Sequence, residues 1–384
     1  MTQILLDITR LITRLYDGLL PTGVDRVGLA YIRRYGPTAR AVLSERGFSA
    51  IMTERDSQQS FASLLSSSFN KHTIRQMVAR TLVNQLRPTR LGRSILLHTS
   101  HNGMEHARYY QAMTRRGARS VFMVHDLIPI THAEYCRPGV DEAHRRRIHT
   151  AIRHADGLIA NSQFTCDALA EEAKRIGLPL PPVVVAHLAS GIDTLESSGQ
   201  PPLDAPYFVM LGTIEPRKNH WFMLHVWRRI TELMGESAPK LVIIGRRGWE
   251  CENVVDMLER CAPLRGTVIE ESNCSDERLS SWLQHARAML FPSFVEGYGM
   301  PLVEALMLRV PVLASNLSVF HEIASDIPDY LDPLDGPAWI AHIQAYAKRD
   351  SVERASQAGR IKQFREPTWA EHFEKVDDFL ASLD

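Results

Sequence analysis

Short apolar runs alternate with longer segments of mixed polarity along the whole chain. Residues 4–6, 94–97, 120–124, 157–160 and 183–185 are too brief for helices and are apolar without alternation. That is the pattern of strands covered on both faces, as in a parallel sheet. A second series follows at 207–211, 240–244, 267–270, 288–291 and 310–315. Between these runs lie helical stretches, one through Tyr35, one after Ser162 through Arg175 and one after Asn219 through Met234. Strand and helix in alternation predict α/β units with crossover helices. Ser162 and Ser275 stand where N-caps are needed. Residues 53–70 are rich in Ser and Gln with few apolar positions, and they read as a flexible loop on the acceptor side. Residues 194–206 are rich in Ser, Pro and Gly without periodicity, which marks a linker. The resulting division is a first α/β domain over 1–195, a linker over 196–206, a second α/β domain over 207–365 and an amphipathic terminal helix within 366–384.

Composition adds limits. A chain of 384 residues, 45% hydrophobic and 23% charged, has the makeup of a globular protein of two ordinary domains. No run of about 18 apolar residues occurs, and residues 1–7 lack a basic-then-apolar leader pattern. The five cysteines have no zinc spacing and read as reduced thiols. A cytoplasmic location is expected, with contact at the inner face of a membrane as its extension. The zero net charge conceals an asymmetry: residues 1–200 hold 25 Lys/Arg against 17 Asp/Glu, and the remainder 19 against 27. A basic half attracts an anionic partner, or two oppositely charged halves attract each other. The segment 71–93 carries Lys71, Arg75, Arg80, Arg87, Arg90 and Arg93 and no acid. It is either a solvated face or, through Met77, Val78, Leu82, Val83 and Leu86, a docking side for an anionic membrane surface. No feature points to nucleic acid.

The candidate chemistry lies where strands end. After residues 288–291 come Pro292 and Ser293, then Glu296, and a turn with Gly297 and Gly299 that lets backbone amides approach a ligand. Pro301 suits the first helical position, which puts Glu304 in the first helical turn. Two carboxylates flanking such a loop would repel a phosphate and are better suited to neutral hydroxyls. After residues 207–211 comes G-T-I-E-P-R-K-N at 212–219. Arg217 and Lys218 beside a strand-end glycine can clamp a diphosphate, the one as a fork and the other as a point charge. In the first domain, T-G-V-D-R-V at 22–27 follows the first strand, and two strands end on His-bearing turns, 98–103 and 125–130.

The eleven residues E-G-Y-G-M-P-L-V-E-A-L at 296–306 closely resemble the signature of retaining glycosyltransferases of family 4. The segment 212–219 resembles that family's diphosphate motif almost letter for letter. D-I-T-R-L at 7–11 with T-G-V-D-R-V resembles a bacterial subset, and H-D-L-I-P at 125–129 resembles the turn of mannosyl- and rhamnosyl-transferring relatives. The resemblance is tight over 207–335 and loose before residue 94. It implies two Rossmann-like domains facing a cleft, the GT-B architecture, and transfer of a sugar from a nucleotide diphosphate donor to a lipid-linked or saccharide acceptor. GDP-mannose is the first choice of donor. Glu296 would contact the donor sugar and Glu304 the ribose, with Gly23, Gly212, Arg217, Lys218, Gly297, Tyr298, Gly299 and Met300 completing the donor site. Asn273 and Cys274 would lie near the base. His125 and Asp126 would border the reacting sugar, and Asp25, Arg26 and His101 the acceptor. No acidic D-x-D motif is present, so neither a metal nor a cofactor is expected. Two departures stand out: Arg309 and Ser325 occupy positions where relatives usually carry glycine, and a non-glycine tolerates the left-handed conformation poorly there. A nucleotide-sugar epimerase of the same architecture and a non-catalytic sugar-nucleotide binding subunit remain as alternatives.

Overall fold

The computed structural model describes residues 2–66, 71–84, 91–191 and 199–383. Two compact units make up the chain. The first comprises Met1–Thr131, Gly139–Leu188 and Thr368–Asp384, and the second His132–Pro138 and Ala189–Pro367.

In the first unit, β1 (Gln3–Asp7), β2 (Arg40–Glu45), β3 (Phe48–Ile51), β4 (Ser94–His98), β5 (Ala118–Val124), β6 (Gly157–Ala160) and β7 (Val183–Val185) form one sheet. Their order is β3-β2-β1-β4-β5-β6-β7. Neighbours are parallel except β2 and β3, which form an antiparallel pair with Val42 opposite Ile51. The unbroken apolar runs reflect burial on both faces: every residue of β4 is buried. Leu5, Leu96, Phe122 and Leu158, from successive neighbouring strands, share one core with Tyr109, Tyr110 and Ile148 from the covering helices. Each such side chain contributes about 1.5–3 kcal/mol through burial. The terminal helix Trp369–Ser382 belongs to this unit, started by a Thr368–Glu371 capping box. Its His372 Nε2 meets Tyr31 Oη at 3.0 Å, and Tyr35 Oη donates to Asp377 at 2.7 Å.

In the second unit, β8 (Tyr207–Leu211), β9 (Lys240–Ile244), β10 (Val268–Glu271), β11 (Met289–Phe291), β12 (Val312–Ser315) and β13 (Asp329–Leu331) run in the order β10-β9-β8-β11-β12-β13. All pairs are parallel. The chain builds outward from β8 to β10, then returns to place β11 on the other side of β8. Loops leaving the carboxyl ends of β8 and β11 therefore diverge and leave a crevice, the usual ligand position in such sheets. The first unit repeats this reversal between β1 and β4. Close approach of backbones helps to shape the second crevice: a Cβ on Gly245 would stand 2.0 Å from the Gly212 carbonyl oxygen.

Three local expectations change. The segment expected to be a loop over 53–70 is a helix at Glu54–Ser66. Ser57 and Ser60 are buried because their hydroxyls satisfy carbonyls one turn back: Ser57 donates to Thr53 O at 2.7 Å and Ser60 to Asp56 O at 2.8 Å. Residues 67–70 lie outside the described residues, as do 192–198, which take in the start of the expected linker, and 85–90 of the basic segment, which begins as the helix Lys71–Asn84. Arg309 and Ser325 adopt φ of +60° and +47°, the left-handed region that glycine would have filled. Arg309 is held there by its N–H on Leu306 O at 3.0 Å and by Nη1 on Ile361 O at 2.7 Å. Glu304 is the third change: its helix begins at Met300, one residue before Pro301, so Glu304 stands in the second turn.

Candidate functional site

The crevice of the second unit gathers most of the expected donor residues. Beyond β8, Gly212 has φ +138°, and a Cβ there would press on Lys218 Cε at 3.3 Å. The chain then makes a short turn at Pro216–Lys218 and enters the helix His220–Met234. Beyond β11, Ser293 and Glu296 face that turn. Arg217 Nη1 donates to Glu296 Oε2 at 2.7 Å and Lys218 Nζ to Oε1 at 2.6 Å. Ser293 Oγ donates to the same Oε1 at 2.8 Å. Phe294 N–H reaches Arg217 O at 2.9 Å, so the two loops are tied by backbone as well.

Glu296 is only 6% exposed. Burial by itself would raise its pKa. The charges of Arg217 and Lys218 and the hydrogen bonds from Lys218 and Ser293 outweigh burial and hold the carboxyl at about 2. Burial lowers the Lys218 pKa, with Glu296 opposing and Arg217 adding to the shift. Arg217 has a second carboxylate, Glu215 Oε1, 2.6 Å from its Nε. The site is thus an ionised cluster of two cations and two carboxylates beside a strand-end glycine. An arriving anion would meet cations already neutralised by Glu215 and Glu296.

Gly297, Tyr298 and Gly299 are buried in the loop that follows, and Met300 is half-buried. Gly299 has φ +110°, and a Cβ on it would meet Phe320 Cε1 at 2.8 Å. Glu304 is 5% exposed among Leu302, Val303, Ala305 and Leu306. A buried acid in the second turn is not explained by attraction to the helix start, whose effect is confined to the first turn. Asn273 and Cys274 stand apart from this cluster. They follow β10 at the sheet edge, Asn273 exposed, and the Cys274 thiol is pushed up to about 11 by burial first and Glu271 second.

Sequence reasoning passed over His220. It is buried at the start of the helix after Asn219, and neither ring nitrogen has a hydrogen-bond partner among the described residues. Burial, then the Lys218 charge, lowers its pKa to about 3, so the ring is neutral. Glu215 was legible as the Glu of the E-P-R-K string but not as a partner for Arg217.

The first unit holds its own set. Asp25 is buried, with Arg10 Nε at 2.8 Å and Arg14 Nε at 2.7 Å, and its Oδ2 accepts from Thr22 N at 2.7 Å. Its carboxylate is therefore committed to neighbours within this unit, which ties 7–14 to the start of the helix Gly23–Tyr35. Gly23 is exposed and Arg26 half-buried on the same helix turn. His125 follows β5 and His101 follows β4. The His125 N–H donates to His101 Nε2 at 3.0 Å, and His125 Nε2 contacts Thr99 O at 2.8 Å. A carbonyl can only accept, so neutral His125 carries its proton on Nε2, and neutral His101 carries its own on Nδ1. Burial drives the pKa of both below the usual imidazole value. His144 joins them, its ring centroid 4.8 Å from that of His101 and its Nε2 3.0 Å from Asp126 O. Asp126 Oδ1 accepts the Ile128 N–H at 3.1 Å. The structure thus brings His101, His125 and Asp126 together.

The Serotype-specific mannosyltransferase WbdA of Escherichia coli is 31% identical over 244 residues, 59% of this chain, which spans about 30% of that relative's length. The O-antigen chain mannosyltransferase B of Escherichia coli is 27% identical, over 67% of this chain and 68% of its own. Among solved structures, Anabaena Alr3699/HepE in complex with UDP and glucose superposes with a TM-score of 0.69 at 13% identity, covering all of both chains. Sucrose-phosphate synthase from Thermosynechococcus elongatus does so at 0.66 and 13%. These neighbours share the GT-B fold of two Rossmann-like α/β domains. Residues 192–327, the span that holds Arg217, Lys218, Glu296 and Glu304, match the family described as Glycosyl transferases group 1.

Proposed function

We propose that this chain transfers a mannosyl group from GDP-mannose, with retention at the anomeric carbon, to a lipid-linked or saccharide acceptor in surface polysaccharide synthesis. The observation that carries the reading is the cluster at the β8/β11 crevice, where Arg217, Lys218 and Glu296 meet. In this reading the second unit holds the donor. Arg217 and Lys218 take the diphosphate and stabilise it as it departs. Glu304 holds the ribose hydroxyls. Glu296 orients the sugar without attacking it, and the departing phosphate oxygen takes the acceptor proton. The first unit supplies the acceptor side through Arg26 and His101, and Asp126 borders the reacting sugar. His125, neutral and fixed by Thr99 O, borders the sugar. Mannose is favoured over other sugars by the mannosyltransferase relatives and by H-D-L-I-P at 125–129.

The test is release of nucleoside diphosphate from GDP-mannose, UDP-glucose and dTDP-rhamnose in turn, with the product's anomeric configuration read by proton NMR. Release from GDP-mannose alone, with an α-mannoside product, is expected. Release from another donor alone refutes the choice of sugar. An inverted product refutes the stereochemistry. Nucleotide binding with no transfer to any acceptor refutes the enzyme reading.

A further inference from the structure

One segment of the second unit comes from a distant part of the sequence. The first unit breaks off at Thr131 and resumes at Gly139, and His132–Pro138 between them belongs to the second unit. It makes one short helical turn at Ala133–Tyr135. The Tyr135 ring lies parallel to that of Phe294, with centroids 5.3 Å apart and planes 2° from each other. Parallel rings at that separation are offset-stacked, a favoured arrangement. The His132 ring is nearly parallel to Tyr135 as well, at 6.2 Å and 13°. The Tyr135 carbonyl accepts the Trp249 Nε1–H at 3.2 Å, and Arg137 Cζ stands 5.8 Å from the Trp249 ring centroid. Trp249 follows β9 and Phe294 follows β11, so the segment is fastened to two loops at the carboxyl edge of this sheet.

Phe294 begins the stretch that carries the carboxylate shared by both cations. Its N–H donates to Arg217 O at 2.9 Å, the Val295 carbonyl accepts from Arg217 Nη1 at 3.3 Å, and Glu296 binds Arg217 and Lys218. All but the first of these ties use charged side chains that a diphosphate in the crevice would draw away. The stack on Tyr135 uses neither cation, because apolar burial and ring quadrupoles hold it. We infer that Tyr135 is a positioning residue of the donor site: its ring fixes the loop from Phe294 to Glu296, so that the Glu296 carboxylate keeps its place beside the sugar when a diphosphate occupies Arg217 and Lys218. Tyr135 acts through Phe294 and touches no reacting atom. The inference rests on the donor reading of this crevice and adds a residue that none of the strand-end motifs contains. The Tyr135 hydroxyl has no hydrogen-bond partner among the described residues, so the ring alone carries the role.

The experiment is steady-state kinetics of the full chain with the nucleotide sugar that the parent turns over, beside calorimetry with the corresponding nucleoside diphosphate. Tyr135→Ala should lower kcat by about three- to tenfold, the range set by one aromatic pair. The donor KM and the nucleoside diphosphate affinity should stay at parent values, since Arg217 and Lys218 remain, and the retained affinity shows that the variant is folded. Tyr135→Phe should keep the parent kcat. Tyr135→Leu, apolar but without a ring, should not. Phe294→Ala should match Tyr135→Ala, and the double variant should be no slower than Phe294→Ala alone. An unchanged kcat in Tyr135→Ala, full activity in Tyr135→Leu, or losses that multiply in the double variant overturns the proposal. Nucleoside diphosphate affinity that falls as far as kcat overturns it too, because the segment would then be holding the cations. A parent that turns over no nucleotide sugar fails the donor reading and this inference with it, whereas an active parent with an unmoved Tyr135→Ala fails this inference alone.

Discussion

Changing Glu296 to Gln keeps the shape of the side chain and removes its charge. The structure gives this substitution two opposite consequences. Glu296 is the carboxylate common to Arg217 and Lys218, at 2.7 and 2.6 Å. Without it, Arg217 keeps Glu215 at 2.6 Å, while the buried Lys218 loses its 2.6 Å carboxylate. Removing one partner of a buried ion pair costs about 3–5 kcal/mol, which lowers the melting temperature of a domain this size by roughly 10 °C. The same change should tighten the binding of GDP. A diphosphate reaching these cations beside an ionised Glu296 meets a carboxylate already bonded to both. In the Glu296→Gln variant the diphosphate becomes the counterion that Lys218 lacks. Each charge-assisted hydrogen bond contributes about 1.5–3 kcal/mol, so affinity should rise by roughly 10- to 100-fold. Turnover should fall, because the carboxylate that orients the sugar as charge develops is gone. The sequence alone treats sugar contact and diphosphate binding as separate duties, and it gives no reason to expect GDP affinity to change. The assay is isothermal calorimetry with GDP on parent and variant, beside thermal melts with and without GDP. A variant that binds GDP no more tightly than the parent, or that melts at the same temperature without ligand, refutes the coupling.

Glu304→Gln should weaken GDP and GDP-mannose alike by about 1.5–3 kcal/mol; if calorimetry finds GDP binding intact, the acid does not hold the ribose. Activity should persist in EDTA, since Arg217 and Lys218 supply the charge for the departing diphosphate, and a rate that vanishes and returns with magnesium or manganese would refute this. His220 has a folded pKa of about 3 against 6.5 for the free group. Below pH 6.5 the unfolded chain therefore takes up a proton that the folded chain refuses, and stability falls as pH drops from 6.5 toward 3, by on the order of 5 kcal/mol at the full extent. The Glu296 carboxyl is lowered as well, so its contribution is lost only below about 4.5 and leaves the range above pH 5 to the histidines. His220→Leu should flatten the melting-temperature profile between pH 7 and 5, and a slope parallel to that of the parent would show that the ring is not the titrating group.

Short-range signals in the chain determined most of the architecture. The unbroken apolar runs predict buried parallel strands because crossover helices leave no solvated face, and β4, β6, β11 and β12 are buried throughout. Ser162 and Ser275 were legible as caps because each acts on an N–H three residues away, at Thr165 and Arg278. The glycine loop at 297–299 and the strand-end bases at 217–218 were legible for the same reason. Where local polarity misled, burial had been settled by something remote. The serines of Glu54–Ser66 look like loop residues until the Ala41 N–H is seen to donate to Ser57 Oγ at 2.9 Å. Arg309 looks misplaced until Ile361 O is found accepting its guanidinium. What only the tertiary structure decided is how the candidate chemistry is wired. Glu296 lies 78 residues from Lys218 in sequence, and no local rule pairs them. They meet because β11 crosses back to lie beside β8 instead of extending the sheet beyond β10, which brings two loops from distant parts of the chain to one crevice. The pairing of His125 with His101 needs no such return, since β4 and β5 are consecutive neighbours whose turns lie side by side. A sequence names the groups at strand ends, and strand order decides which of them share a charge.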